Sequence, residues 1–226
     1  MTLDGTQPWF APLRELLGAL PSGMPAAAAL NQLPGSGPRF VPADQLPAGV
    51  AYEAFIHRTG DVPTRENLHD LLNGLIWRRH PALKARLNAL QAADIAARGI
   101  GPVRGALRDA LTLFDENGAL WMDPPPALAA ALRARDWRAL FATHRDLWPQ
   151  PRFEIFGHAL LEQLIRAPRK GLTAHVVIGD PMLLSADDWA QKPFLPLPVL
   201  GIPGWWPANQ DPAFYDDSKV FRRPVS

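Results

Sequence analysis

The densest pattern of alternating apolar and polar positions lies in residues 62–94. Leu68, Leu71, Leu72, Leu75 and Ile76 recur three and four apart, which predicts a helix with one apolar face. His69, Asn73 and Trp77 occupy another face at i, i+4 and i+8, with Asp70 three residues before Asn73. Side chains at these spacings are neighbours on a helix, so His69, Asp70 and Asn73 can converge. Val62-Pro63 predicts extended chain ahead of the helix, because a residue before proline is pushed out of the α region. Thr64 is the expected N-cap, with Glu66 in the first turn, where a carboxylate suits the helix dipole. His80-Pro81 stops this helix, and Pro81 can open the next. The second helix buries Leu83, Leu87, Leu90 and Ile95 and presents Lys84, Asn88 and Gln91 on an adjacent stripe. A short connection makes two such helices antiparallel neighbours, so their polar stripes can face each other.

The rest of the chain is less regular. Residues 10–20 predict a short helix with Leu13, Leu16, Leu17 and Leu20 inward, ended by Pro21. Residues 21–50 are rich in Pro, Gly and Ala around one apolar piece, Phe40-Val41, and read as a peripheral arm. Residues 52–57 make another short helix, with Glu53 and His57 at i, i+4. For 104–122 a helix over 104–114 competes with a β-hairpin. We favour the hairpin, pairing 111–114 with 119–122 around Asp115-Glu116-Asn117-Gly118, because that tetrapeptide is good turn chemistry. Helices follow at 127–135, at 137–147 capped by Asp136, and at 153–165; Pro149-Gln150-Pro151 separates the last two. Residues 172–178 read as a strand. The tail from Ser185 has many prolines, paired tryptophans and no period, and its apolar content predicts that it packs back on the core.

These elements predict an α+β fold, mostly helical, with a small antiparallel sheet and a long irregular C-terminal tail on the core. The expected organisation is an N-terminal arm over 1–50 and one globular domain over 51–226, including the wrapped tail 185–226.

Composition narrows the function classes. The chain has 226 residues, 47% hydrophobic and 20% charged, with a net charge of +1. That balance argues against bulk electrostatic binding to nucleic acid, although Arg78, Arg79, Lys84 and Arg86 would supply a basic stripe. The absence of cysteine removes disulfides, thiolate zinc sites and cysteine nucleophiles together. It fits a reducing compartment. No apolar run approaches the ~20 residues of a spanning helix. Asp4, Arg14 and Glu15 do not fit a signal peptide. The expected location is cytoplasmic, with no membrane partner.

Candidate chemistry rests on histidines and carboxylates. His158 and Glu162 are at i, i+4, a spacing that can hold one metal ion or let the carboxylate orient the ring. His175 follows on the predicted strand. With His69 and Asp70 these residues could form one histidine–carboxylate site, placed where the helix of His69, the helix of His158 and the strand of His175 meet. The Asp70–Asn73 face has a commoner structural role, satisfying backbone groups near a buried helix. No HExxH, EF-hand, P-loop, dinucleotide or GxSxG motif is present, and Ser185 sits in a helix-cap context. No metal ligand set is therefore assigned, and cofactor and oligomeric state stay open.

Two functional readings follow. The first is a hydrolase-like enzyme acting on a small polar or anionic molecule. His69 or His158 would be the general base, Asp70 or Glu162 would orient it, and Arg65 or Lys170 would bind an anion. Asn73, Trp205 and Trp206 would line the pocket, and Arg104 and Arg108 are further anion-binding candidates. The second is a non-catalytic binding or assembly protein that uses the aromatic tail and an apolar face.

Several long motifs also carry a resemblance. VPTRENLHDLLN, RLNALQAA, RDALTLFDENGA, FGHALLE, KGLTAH, LPVLGIPGWW and FYDD together resemble the bacterial family known as domain of unknown function 3025, over about residues 52–217. The resemblance implies a bacterial protein and a single domain, and it implies no activity. Leu68 departs from the family's pattern, in which an aromatic residue commonly precedes the histidine of the His-Asp pair.

Overall fold

The computed structural model describes residues 3–99, 105–148 and 152–222. Its backbone divides into two compact units. The first comprises Met1–Thr6, Phe10–Leu113 and Met182–Lys192; the second comprises Gln7–Trp9, Phe114–Pro181 and Pro193–Ser226.

The first unit is mainly helical. It contains α1 (Arg14–Ala19), α2 (Ala26–Gln32), β1 (Arg39–Pro42), α3 (Tyr52–Thr59), β2 (Asp61–Thr64), α4 (Leu68–Arg79), α5 (Pro81–Arg98) and most of α6 (Ala106–Asn117). Residues 21–50, expected to be peripheral, supply α2 and β1, and Leu30 and Phe40 are buried at 0% and 2% exposure. Two devices hold this segment in place. The Asn31 amide brackets Phe40, donating to its carbonyl at 2.7 Å and accepting from its N–H at 2.9 Å. Leu30 sits so close to Gly74 of α4 that a Cβ at 74 would overlap its side chain. β1 and β2 pair in parallel, Phe40 opposite Val62.

Helix α4 follows its predicted stripe, with Leu72, Leu75 and Ile76 fully buried. Its N-cap is Asn67, whose Oδ1 accepts from the Asp70 N–H at 2.7 Å. Thr64, the expected cap, instead lies in β2, where its buried hydroxyl donates to the Val62 carbonyl. The polar stripes of α4 and α5 do face each other: Lys84 Nζ donates to Asn73 Oδ1 at 2.7 Å. Asn73 Nδ2 donates to the Tyr52 hydroxyl at 3.3 Å, and Asn88 Nδ2 donates to the Glu53 carbonyl at 3.1 Å. Residues 182–192 return to this unit as a short helix, Ala186–Ala190, with a Ser185/Asp188 capping box and a fully buried Trp189.

The favoured hairpin is replaced by the competing helix. Residues 111–114 are helical, and α6 runs on through Asp115 and Glu116 to Asn117. Ala110, Leu111 and Phe114 are all fully buried, an i, i+1, i+4 set that suits a helix face and not a strand. The turn chemistry of Asp-Glu-Asn-Gly is overridden by that burial. Gly118 then leaves the helix, with the Phe114 ring so near that a Cβ there would have no room.

The second unit is built on a four-stranded mixed sheet in the order β4-β3-β5-β6. Its elements are β3 (Gly118–Met122), α7 (Pro126–Ala134), β4 (Arg152–Ile155), α8 (His158–Arg166), β5 (Thr173–Ile178) and β6 (Leu195–Pro198). β3 pairs antiparallel with β4 and parallel with β5, and β5 pairs antiparallel with β6. The small sheet expected to be antiparallel keeps two antiparallel pairs and adds one parallel pair, which requires a crossover that the segment from α7 to α8 provides. Residues 153–155, expected to be helical, are strand; the helix begins only at His158.

The tail belongs to this unit's core. Leu197, Val199 and Leu200 are fully buried, and Phe214, Tyr215 and Phe221 are 8%, 6% and 5% exposed. Buried Asn209 donates to the carbonyls of Leu200 and Ile202, which lets a segment without regular structure satisfy its backbone. Among the described residues no helix is long and apolar enough to cross a membrane.

Candidate functional site

The two motifs FDENG and FGH meet within the second unit. The last turn of α6 carries Asp115 and Glu116, and Gly118 opens β3. β4 ends at Ile155, and the next two amides, Phe156 and Gly157, both donate to the Gly118 carbonyl, at 3.0 and 2.8 Å. Gly157 presses on the preceding turn: a Cβ there would lie 2.5 Å from the Asn117 Cα and from the Glu116 carbonyl oxygen. Phe156 stacks on Phe114 with ring centroids 5.0 Å apart, and Phe194 stacks on Phe114 at 5.9 Å. This clamp fixes the first residue of α8, His158.

The His158 side chain is 4% exposed and lies between two carboxylates. Its Nδ1 is 4.0 Å from Asp115 Oδ2, and its Nε2 is 3.5 Å from Glu116 Oε2. Asp115 and Glu116 retain 24% and 33% side-chain exposure, so the carboxylates meet solvent while the ring does not. Adjacent residues on a helix point about 100° apart, which is why one turn of α6 can address both ring nitrogens. A neutral imidazole donates through only one nitrogen. Donation to both carboxylates at once therefore requires the protonated ring.

Neither carboxylate was among the expected site residues, because the favoured turn reading placed them in a hairpin loop. The available signal was the helical spacing of Leu111, Phe114 and Asp115, which continues the α6 register.

The expected residues fall as follows. Glu162, one turn beyond His158, forms a 2.8 Å ion pair with Arg166. His175 lies on β5 opposite Gly118 in the parallel register, with its ring 5.5 Å from that of Phe194. Lys170 reaches Asp217 at 3.4 Å and stands over the Phe214 ring at 4.2 Å, so it fastens the tail. Trp205 contacts Trp9 and Phe153 at ring distances of 6.2 and 5.7 Å, while Trp206 is half-buried beside it in sequence.

In the first unit, buried Asp70 accepts from the Arg65 N–H at 2.7 Å and from its guanidinium at 2.9 and 3.1 Å. That clasp closes the entry to α4, and the hydrogen bond to Asp70 holds the Arg65 guanidinium above its ordinary pKa. His69 is half-buried on the neighbouring position of α4. Asn73 is taken up by Lys84 and Tyr52. Lys84 itself is only 4% exposed, which removes it from the proposed basic stripe. Arg108 is 9% exposed, and Arg104 lies outside the described residues, as does Pro149-Gln150-Pro151.

The first unit also has a cleft of about 360 Å³, lined by Gly37, Pro38, Arg39, His57, Trp77 and Asn88 among others. That volume suits a small molecule. Arg39 is already chelated by Asp61, at 2.8 and 2.7 Å.

Fold and site together define a mixed α+β protein with a buried histidine held between two carboxylates. The chain belongs to the family described as protein of unknown function (DUF3025), whose profile matches residues 38–187 and 180–224. The match begins ahead of residue 52 and so takes in β1. No curated protein and no solved structure matches the chain.

Proposed function

We propose that the protein is a hydrolase-like enzyme whose acid–base centre is Asp115, Glu116 and His158, acting on a small polar molecule. One observation carries this reading: a histidine with a side chain only 4% exposed has a carboxylate on each ring nitrogen, within 4.0 Å. Burying such a polar group is costly, and the carboxylates offset that cost. Asp115 orients the ring from the Nδ1 side. Glu116 and Nε2 share the proton withdrawn from an attacking water, and solvent reaches that side through Glu116. The clamp of Gly118, Phe156 and Gly157 supplies the rigidity that acid–base geometry requires.

The competing reading, a binding protein that uses its aromatic tail, requires those aromatics at the surface. Phe214, Tyr215 and Phe221 are buried, which leaves half-buried Trp205 and Trp206 as the tail aromatics within its reach.

The test is a panel of small ester, amide and phosphoester substrates offered to the wild type, Glu116→Gln and His158→Ala. Wild-type turnover that falls about 10²–10⁴-fold in both variants is expected for a general acid–base pair. A wild type silent across the panel, or a folded His158→Ala as active as the wild type, would remove the proposal.

A further inference from the structure

We infer that His158 Nε2 and Glu116 bind a divalent cation of the zinc type, with Asp115 supporting the imidazole from its other nitrogen. This rests on the same cluster as the hydrolase reading and adds the cofactor class that the cluster would take: with the ion bound, Nε2 and Glu116 serve as its ligands, and the ion activates the water in place of their lone pairs.

The argument begins with the Nε2–Oε2 separation of 3.5 Å. A direct N–H···O bond is best at about 2.9 Å, so this pair stands at the long end of direct contact. Zinc binds imidazole nitrogen and carboxylate oxygen at about 2.0–2.2 Å in tetrahedral geometry, which sets two ligand atoms roughly 3.3–3.6 Å apart. The pair is therefore spaced for an ion bridging it, without any movement of the backbone. Two carboxylates beside one ring also place two negative charges around a buried group, and a divalent cation neutralises both.

The position of Asp115 fits the same arrangement. Metal-bound histidines almost always direct their other ring nitrogen at a carboxylate, carbonyl or water, which fixes the tautomer. Asp115 Oδ2 lies on the Nδ1 side at 4.0 Å, an electrostatic approach longer than a hydrogen bond, which a small side-chain movement would shorten to that of such a triad. Because His158 is the first residue of α8 and follows the Gly157 clamp, its backbone, and so the position of its Cβ, is held in place. Exposure distributes in the same sense: the ring is buried, while Glu116 reaches solvent and gives the ion an entry path.

The donor set is one nitrogen and one oxygen with no thiolate, since the chain has no cysteine. Catalytic zinc sites ordinarily keep three protein ligands and one open position; the two protein ligands here leave two positions for water and substrate. A cation there lowers the pKa of bound water and so supplies a nucleophile near neutral pH.

The test uses the full-length, untagged protein, stripped with chelator and titrated with Zn²⁺ by calorimetry and with Co²⁺ by visible absorption. One equivalent should bind, and Co²⁺ should give the intense d–d bands of a low-coordinate site. His158→Ala should abolish binding, Glu116→Gln should weaken it at least tenfold, and Asp115→Asn should weaken it about 10–100-fold. Glu116 is partly exposed, so Glu116→Gln keeps the test informative if His158→Ala does not fold. No binding by the wild type, or binding unchanged in Glu116→Gln, overturns the metal inference. Hydrolysis on the substrate panel without metal binding would overturn this inference alone and leave the acid–base reading standing. One bound equivalent without hydrolysis would uphold the metal site and remove the acid–base reading.

Discussion

The Gly157 amide donates to the Gly118 carbonyl at 2.8 Å, and this bond ties the start of α8 to the residue that follows α6. It brings the backbones close enough that position 157 has no space for a side chain. His158 and the carboxylates of Asp115 and Glu116 lie on either side of that contact.

Gly157→Ala should therefore be costly. The clash is with backbone atoms, which yield less easily than a side-chain tip, so a loss of about 2–3 kcal/mol is expected, the upper part of the usual overpacking range. Urea unfolding of the variant measures it. A midpoint within error of the wild type would show that the clamp is looser than the geometry implies.

Asn73→Ala removes one acceptor from the buried Lys84 ammonium. Hydrogen bonds to charged groups contribute roughly 1.5–3 kcal/mol, so a destabilisation of that order is expected. Lys84→Met, which removes the charge as well, should cost less than Asn73→Ala. The reverse order in thermal or denaturant unfolding would mean that Lys84 does not depend on Asn73.

Asn31→Ala frees both polar groups of the Phe40 backbone at β1. Part of the lost bonding is recovered from water because Asn31 itself is exposed, so about 1–2 kcal/mol is expected. Hydrogen exchange at the Phe40 amide gives a local check, and its protection should fall more than that of Leu72 at the centre of α4.

The Tyr215 hydroxyl predicts a pH effect. It lies 3.0 and 3.1 Å from the carbonyl oxygens of Gly201 and Asn209, which require it as a donor. Burial raises its pKa above the ordinary phenol value of 10.0, with Arg145 opposing the shift. Since the folded-state value is the higher, this stabilisation is complete below the ordinary value and is lost as pH rises through the folded one. Tyr215→Phe should be less stable than the wild type near neutrality by about 1 kcal/mol, and its stability should fall less between pH 9 and 12. Parallel stability curves for the two proteins over that range would contradict this.

Local pattern made part of this structure legible. The stripes of α4 and α5 follow from the i, i+3, i+4 repeat, and their opposition follows from a connection too short to allow anything but antiparallel packing. That the polar stripes could face each other was visible for the same reason, whereas the particular pairing of Lys84 with Asn73 was not. The α+β class and the packed tail were visible because apolar content must be buried whether or not the segment is regular.

The partners of His158 were not visible. Glu162 stood at the right local spacing and pairs with Arg166 one turn further on, while the approach of Asp115 and Glu116 came from a different helix. Asp115 and Glu116 were hidden behind a turn signal that is strong locally and lost to the burial of Leu111 and Phe114. The strand pairings were hidden too, because β3 meets β4 and β5 across long stretches of chain and alternation carries no information about partner or direction.

The sequence by itself determined which residues are apolar at which period, and so α4, α5, their polar seam and the need to bury the tail. Only the tertiary structure decided that Asp115 and Glu116 straddle His158. That arrangement depends on the close approach of Gly157 to Asn117 and on one carbonyl, that of Gly118, accepting two amides. These are long-range contacts whose free energy belongs to the packed core, and no local spacing encodes them.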